Sequence, residues 1–273
     1  MSCPCCPSPA SEYRRLFGRR MAGHEARRYR RKGLPKTARG LADAVAGAES
    51  VLDVGGGVGD LSLELLERGA ARATVVELSD GYEDAAAELL TEHRLRDRVE
   101  RRTGDFVAEA GLVEPHDAVV LHRVVCCYPD ADALVSTAAA HARRTLALTY
   151  PRERALTRAG VRAVNLWLRA TRCGFRTFVH AFAAVEDAAE RQGLALERRE
   201  RQGLIWENAV FARLAESGDG HSRGMEPRHR EEEVEQIESE RRHEVERDDE
   251  PFEEEDGGDL AHRTPPDEDE TQI

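Results

Sequence analysis

Residues 49–60 read ESVLDVGGGVGD: a short apolar run, Val51, Leu52 and Val54, meets three alternate glycines, Gly55, Gly57 and Gly59. An apolar run of that length closed by glycines reads as a buried strand ending in a tight loop. Leu61, Leu63, Leu65 and Leu66, interspersed with Glu64 and Glu67, then read as a helix. Strand, glycine loop and helix make the first half of a nucleotide-binding βαβ unit. Glycine is required there because a side chain would keep a ligand from the backbone N–H groups at the helix N-terminus. The dinucleotide fingerprint G-x-G-x-x-G fails in both frames. Counted from Gly55 its last position is Asp60, and counted from Gly57 it is Ser62.

Acids follow at regular intervals. Residues 73–77, ATVVE, read as a second strand ending in Glu77, where a carboxylate can accept both hydroxyls of a ribose. Residues 99–106, VERRTGDF, supply a third strand tip carrying Asp105 and Phe106. The ordered set Asp53-x-Gly55-x-Gly57-x-Gly59, Glu77 and Asp105 resembles the class I S-adenosylmethionine (SAM) dependent methyltransferases over about residues 41–214. That resemblance implies a cofactor site built from Asp53, Gly55, Gly57, Gly59, Glu77, Leu78, Asp105, Phe106 and His122. Asp105 would meet the adenine amino group, and Phe106 would cover the ring.

The alternation continues down the chain. Residues 116–122 and 143–151 read as strands four and five, with a helix between them from about 131 to 142. Such alternation implies a parallel sheet. Two last strands, starting at Leu194 and Leu204 and joined near Gln202-Gly203, fit the antiparallel closing hairpin that the resemblance implies. The expected fold is α/β: a Rossmann-like, mostly parallel methyltransferase sheet with an antiparallel C-terminal hairpin and helices on both faces. Three regions are expected: a basic arm over 1–40, the SAM-binding domain over 41–215 with a cover insertion at about 152–182, and a disordered acidic tail over 216–273.

Charge separates these regions. The whole chain carries −12, yet from Glu216 onward 23 acids face 7 arginines, a net of −16. The tail's glutamate runs and scarce large apolar residues cannot bury enough surface to offset chain entropy. A transient helix over 231–247 is the minor alternative. Met1 to Gly40 holds 11 basic and 2 acidic residues. Its interleaved apolar residues, Tyr13, Leu16, Phe17, Met21 and Tyr29, suit an amphipathic helix packed on the domain, with arginines solvated or facing an anionic substrate. Nucleic acid, which clustered cations can hold, is the weaker reading. Strand four also ends in HRVVCC rather than the Asn/Asp-Pro-Pro-Tyr/Phe type of motif that the nucleic-acid enzymes carry. No apolar run approaches the ~20 residues of a membrane span, and no signal-peptide core precedes the arm. Six cysteines in so long a chain make no disulfide framework, so a reducing cytoplasm is the expected compartment.

Ligands of open α/β sheets bind beyond the carboxyl ends of the strands. That rule gathers the glycine loop, Glu77, Asp105, His122, Cys126, Cys127, Tyr128 and Tyr150 on one edge. Methyl transfer from a sulfonium is an in-line displacement in which alignment and exclusion of water matter most. A hydroxyl acceptor benefits from a base, for which His122 and Tyr128 are candidates, and Tyr29 could close over the cofactor from the arm. His122 can equally be a strand-end histidine bonded within the fold, and Tyr128 a loop anchor. A carboxylate acceptor needs positioning rather than deprotonation. The arm, the strand-four end and the arginine-rich insertion are also similar, more weakly, to magnesium-protoporphyrin O-methyltransferases, which methylate a carboxylate. Where that family tends to show His-Tyr after strand four, Cys127-Tyr128 stands here.

The expected activity is SAM-dependent methyl transfer to a small-molecule acceptor, at oxygen, with an anionic acceptor among the candidates. Two alternatives stand beside it. One is a thiol- or metalloid-directed methyltransferase using Cys3, Cys5, Cys6, Cys126 and Cys127, although C-x-C-C lacks zinc-site spacing and no resident metal is expected. The other is a non-catalytic SAM-binding module whose acidic tail recruits a partner.

Overall fold

The computed structural model describes residues 9–214, which form part of one compact unit. Cys3, Cys5, Cys6 and the acidic tail with its minor helix lie outside the described residues. The described residues hold seven strands: β1 (Ser50–Val54), β2 (Arg72–Glu77), β3 (Val99–Thr103), β4 (His116–His122), β5 (Ala142–Pro151), β6 (Leu194–Gln202) and β7 (Trp206–Arg213). They make one sheet in the order β3-β2-β1-β4-β5-β7-β6. The first five pair in parallel, while β7 runs antiparallel to both β5 and β6. The hairpin turns at Gly203 in the left-handed region, φ +76°, close to the expected join.

Period-two alternation sorts the sheet's side chains into two cores. Val51, Ala118 and Val120 face one cluster, which also holds Leu41, Leu61 and Leu89. Those leucines come from α3 (Lys36–Ala44), α4 (Asp60–Glu67) and α5 (Glu83–Glu92). Leu52, Val54, Val119 and Leu121 face the other, shared with Leu134 and Val185 from α6 (Ala131–His141) and α8 (Phe182–Glu190). Both faces are therefore covered, as a parallel sheet requires.

The arm is two helices rather than one: α1 (Pro9–Leu16) and α2 (Arg19–Lys32). Between them Gly18 and Gly81 meet closely, a Cβ on Gly81 falling 2.7 Å from the Gly18 Cα. Arm and domain are one packed body. Ala22, Ala26 and Tyr29 are buried on the inner face of α2, and Arg30 pairs with Glu92 and Glu88 of α5. The insertion carries α7 (Ala155–Ala170), of which only Leu168 is buried, while Leu156, Leu166 and Trp167 are exposed. Among the described residues, no helix is long and apolar enough to cross a membrane.

Candidate active site

Strand order reverses between β1 and β4, which sit side by side but lead into crossovers on opposite sides. A crevice must open at such a switch point. Here it is a cavity of about 460 Å³ at the carboxyl ends of the strands, roofed by the arm. Its floor is the glycine loop. Gly55 and Gly57 have φ +66° and +53°, a region that side-chain-bearing residues rarely adopt. The motif's unmarked glycine, Gly56, is equally constrained: a Cβ there would stand 2.7 Å from the Asp53 carboxylate and 2.8 Å from Val75. Gly59, at φ +80°, forms the N-cap of α4 and does not line the cavity.

Glu77 ties the loop to β2. One carboxylate oxygen accepts from Gly57 N (3.0 Å) and the other from Ser79 N (2.9 Å). Each oxygen keeps a free lone pair for a ligand diol. Arg101, absent from the sequence argument, reaches across from β3 to donate to Gly57 O at 2.9 Å while pairing with Glu83. Only the tertiary fold brings a β3 side chain to the β1 loop.

Asp105 accepts from Val107 N and from Tyr128 Oη, the latter at 3.1 Å. Tyr128 therefore donates to a carboxylate, and burial together with Asp105 pushes its hydroxyl up to about 12. It is placed to orient Asp105 and ill suited to act as a base. Phe106 is buried beside the cavity, edge-on to His141. Leu78 also lines the wall.

His122 faces the cavity from the end of β4, with Nε2 2.9 Å from Thr37 Oγ1. Burial, then Arg123 and Arg28, push its pKa down to about 3, so the ring is neutral through the physiological range. Tyr29 is elsewhere. It packs in the core under α2, 5.9 Å from the His93 ring, and is not part of the cavity lining. The arm instead presents Tyr13, Phe17, Met21, His24, Glu25 and Arg28 to the cavity. α2 turns Tyr29 inward and Glu25 and Arg28 toward the loop, a rotation that the sequence period alone left open.

One further expectation, Tyr150 on the ligand-binding edge, is corrected by position. Tyr150 is fully buried, donating to Glu207, which also binds Arg152 and Arg199. That network holds β5 to β7. The insertion's arginines do not line the cavity. Leu168, Cys173 and Phe175 instead back Tyr13, Phe17 and Cys127 from behind. The cavity's cations are Arg28 and Arg123.

Acids dominate the interior. Asp53, buried beneath the loop, accepts from Ser62 Oγ at 2.8 Å while its Oδ1 has no partner among the described residues. Burial raises its pKa to about 7. Glu25 stands above the loop, bonded to Tyr82, and is raised to about 7 by burial, Asp60 and Glu77, against the lowering effect of Arg28. Its folded value exceeds its ordinary 4.5, so the folded chain holds a proton that the unfolded chain has released between about pH 4.5 and 7. Stability from this group is present below that window and is lost as pH rises through it. Glu25→Gln is expected to raise the melting temperature of the ligand-free protein at pH 8 and leave it unchanged at pH 4.5. Scanning calorimetry at the two pH values checks this, and an equal shift at both would refute it.

Residues 51–147 match a sequence family described as "Methyltransferase domain". The match runs from β1 into β5 and contains Asp53, Glu77 and Asp105. That stretch of the chain is similar to a methyltransferase domain. Among curated proteins no sequence matches. Solved structures of the same fold include magnesium protoporphyrin IX methyltransferase from Synechocystis with bound S-adenosylhomocysteine (SAH), at 19% identity and TM-score 0.51, covering 77% of this chain and 89% of that one. An O-methyltransferase family protein from Burkholderia thailandensis matches at 18% identity and TM-score 0.58, over 73% of this chain and 59% of that one. An O-methyltransferase family 2 protein from Planctomyces limnophilus, in complex with apigenin, matches at 18% and 0.55, over 76% and 62%.

The cavity of this methyltransferase domain suits a cationic nucleoside ligand. Five acids, Glu25, Asp53, Asp60, Glu77 and Asp105, line it against two arginines. Burial pushes up the pKa values of Glu25, Asp53, Asp60 and Glu77, a strain that a sulfonium and an ammonium would relieve.

Proposed function

We propose that this methyltransferase acts on a small molecule at a carboxylate oxygen, with Arg123 and Arg28 holding the acceptor's anionic group. The observation that carries the reading is the state of Arg123. It follows β4 in the left-handed conformation, φ +63°, and lines the cavity. Its guanidinium stacks 4.8 Å over Trp206 and donates to Thr37 Oγ1, while its buried Nε has no partner among the described residues. Among the described residues, no carboxylate lies within ion-pair distance of Arg123 or Arg28, although Glu25 and Asp60 act on Arg123 from further away. A planar fork with a spare donor in a walled cavity matches a carboxylate.

The bases point the same way. His122 is held neutral and weakly basic by burial and then by the same two arginines, and Tyr128 is committed to Asp105. A carboxylate is already ionised near neutral pH and needs no base. SAM supplies an electrophilic methyl group on a sulfonium. Glu77, Asp105 and the loop would hold the nucleoside, and the arm excludes water. The acceptor oxygen would form the new O–CH3 bond as the S–CH3 bond breaks, leaving SAH uncharged at sulfur.

Matched acceptors test this. Aromatic and aliphatic carboxylic acids, each beside its primary amide, are incubated with methyl-labelled SAM and the full chain. Label released as methanol by mild base, from acids only, is the expected result. Base-stable label, or equal labelling of the amides, would overturn the carboxylate reading while leaving the domain's SAM chemistry intact.

A further inference from the structure

The turn after β4 carries two adjacent cysteines whose side chains converge. Residues 125–127 form one 3-10 turn in which Cys127 N donates to Val124 O at 2.8 Å. The two sulfurs stand 3.7 Å apart, both face the carbonyl of Arg123, and both residues line the cavity. The backbone beneath them is held from two directions. Cys126 O accepts from Phe178 N (2.8 Å) and Thr177 Oγ1 (3.1 Å), and Cys127 O accepts from Tyr13 Oη. The convergence is therefore built by the insertion and the arm together. Buried cysteines that only fill space have no need to meet, and Cys173 illustrates that case in the apolar cluster behind.

We infer that Cys126 and Cys127 form a dithiol site, within the cavity, for a thiophilic trivalent metalloid compound of the organoarsenical type. The separation matches such a centre. Two sulfurs bonded to one soft atom at about 2.3 Å stand about 3.4–3.8 Å apart, for bond angles from pyramidal to tetrahedral. A disulfide, by contrast, needs the sulfurs at about 2.05 Å. The ligand count separates metalloid from metal ion. A structural metal takes four protein ligands and a catalytic one three. Among the described residues no group of three His, Cys, Asp or Glu is arranged to hold a metal. A trivalent arsenical asks for two thiols and brings its third substituent itself.

The charge balance also suits thiol attack. Cys126 is lowered below the ordinary thiol value by the hydrogen bond from Cys127 and, to a lesser extent, by the Arg123 guanidinium, while Cys127 is raised above it. With a compound R–As(OH)2, two S–As bonds form and two As–O bonds break. The two thiol protons leave with the two hydroxides as two waters, with no change of oxidation state. The organic group would then project into the cavity.

The test uses the reduced full-length protein, kept anaerobic, and phenylarsine oxide as the probe. With Cys3, Cys5 and Cys6 changed to serine, intact-mass measurement should show one adduct per chain with loss of two titratable thiols, stable to excess monothiol and reversed by a dithiol. After proteolysis the adduct should reside on the peptide spanning residues 124–143. Cys126→Ser and Cys127→Ser should each weaken binding at least tenfold while SAH binding, read by calorimetry, is retained; Cys173→Ser should change neither. No adduct on that peptide, or one stripped by monothiol or unchanged in variants that still bind SAH, would overturn the site. Peptide mapping on the unaltered chain decides the matter even where a serine variant fails to fold. None of these readouts requires methyl transfer, so the carboxylate reading can fail without affecting this one.

Discussion

Glu77→Gln is expected to abolish useful SAM binding without unfolding the protein. The carboxylate of Glu77 takes one N–H from the loop and one from Ser79, and would offer its remaining lone pairs to a ribose diol. Two hydroxyl bonds to a charged acceptor contribute about 1.5–3 kcal/mol each. Losing most of that weakens binding by about two to four powers of ten. Stability moves differently. Glu77 is buried, and burial is the leading cause of its raised pKa, so its charge costs folding energy at neutral pH. The neutral amide removes that cost and still accepts from one N–H. Calorimetric titration with SAH, beside a thermal melt, checks both halves. Affinity within threefold of the unaltered protein would remove Glu77 from the cofactor site.

Arg123→Asn is expected to lower kcat/KM for a carboxylate acceptor by about a hundred- to a thousandfold, on the scale of a lost charge-assisted bidentate pair. Affinity for SAH should change no more than a few-fold. Asparagine is chosen because it tolerates φ > 0, so the turn into Cys126 keeps its backbone. A second readout comes from the neighbour. Arg123 is one of two cations that, after burial, depress His122, so its removal should raise the His122 pKa from about 3 toward its ordinary 6.5. Imidazole proton resonances followed from pH 3 to 8 would show that shift. Arg123→Lys, keeping the charge but not the fork, should recover the His122 shift and only part of the activity. If Arg123→Asn leaves turnover intact, the acceptor is not held by this guanidinium.

The strands, their order along the chain and the closing hairpin were legible because buried parallel strands are written as apolar runs and their crossovers as amphipathic helices. The glycine loop and the acids at residues 53, 77 and 105 were legible for a related reason: each lies at a strand end, where local sequence fixes backbone geometry and one polar residue interrupts an apolar run. Gly56 escaped because the motif leaves its position free; its constraint comes from Asp53 and Val75, packed beneath it.

Other features depended on how elements meet. Which face of α2 looks into the cavity is set by packing on α5, and this replaced Tyr29 with Glu25 and Arg28. Arg101 reaches Gly57 only because β3 lies two strands from β1. The insertion's arginines missed the cavity because α7 turns Arg158, Arg162 and Arg169 to solvent while Arg152 is buried on Glu207. The sequence alone thus determined the nucleotide-binding frame, which is local backbone geometry repeated strand by strand. Tertiary structure alone decided which charges and thiols face the acceptor, because that rests on side chains converging from the arm, β4 and β7, far apart along the chain.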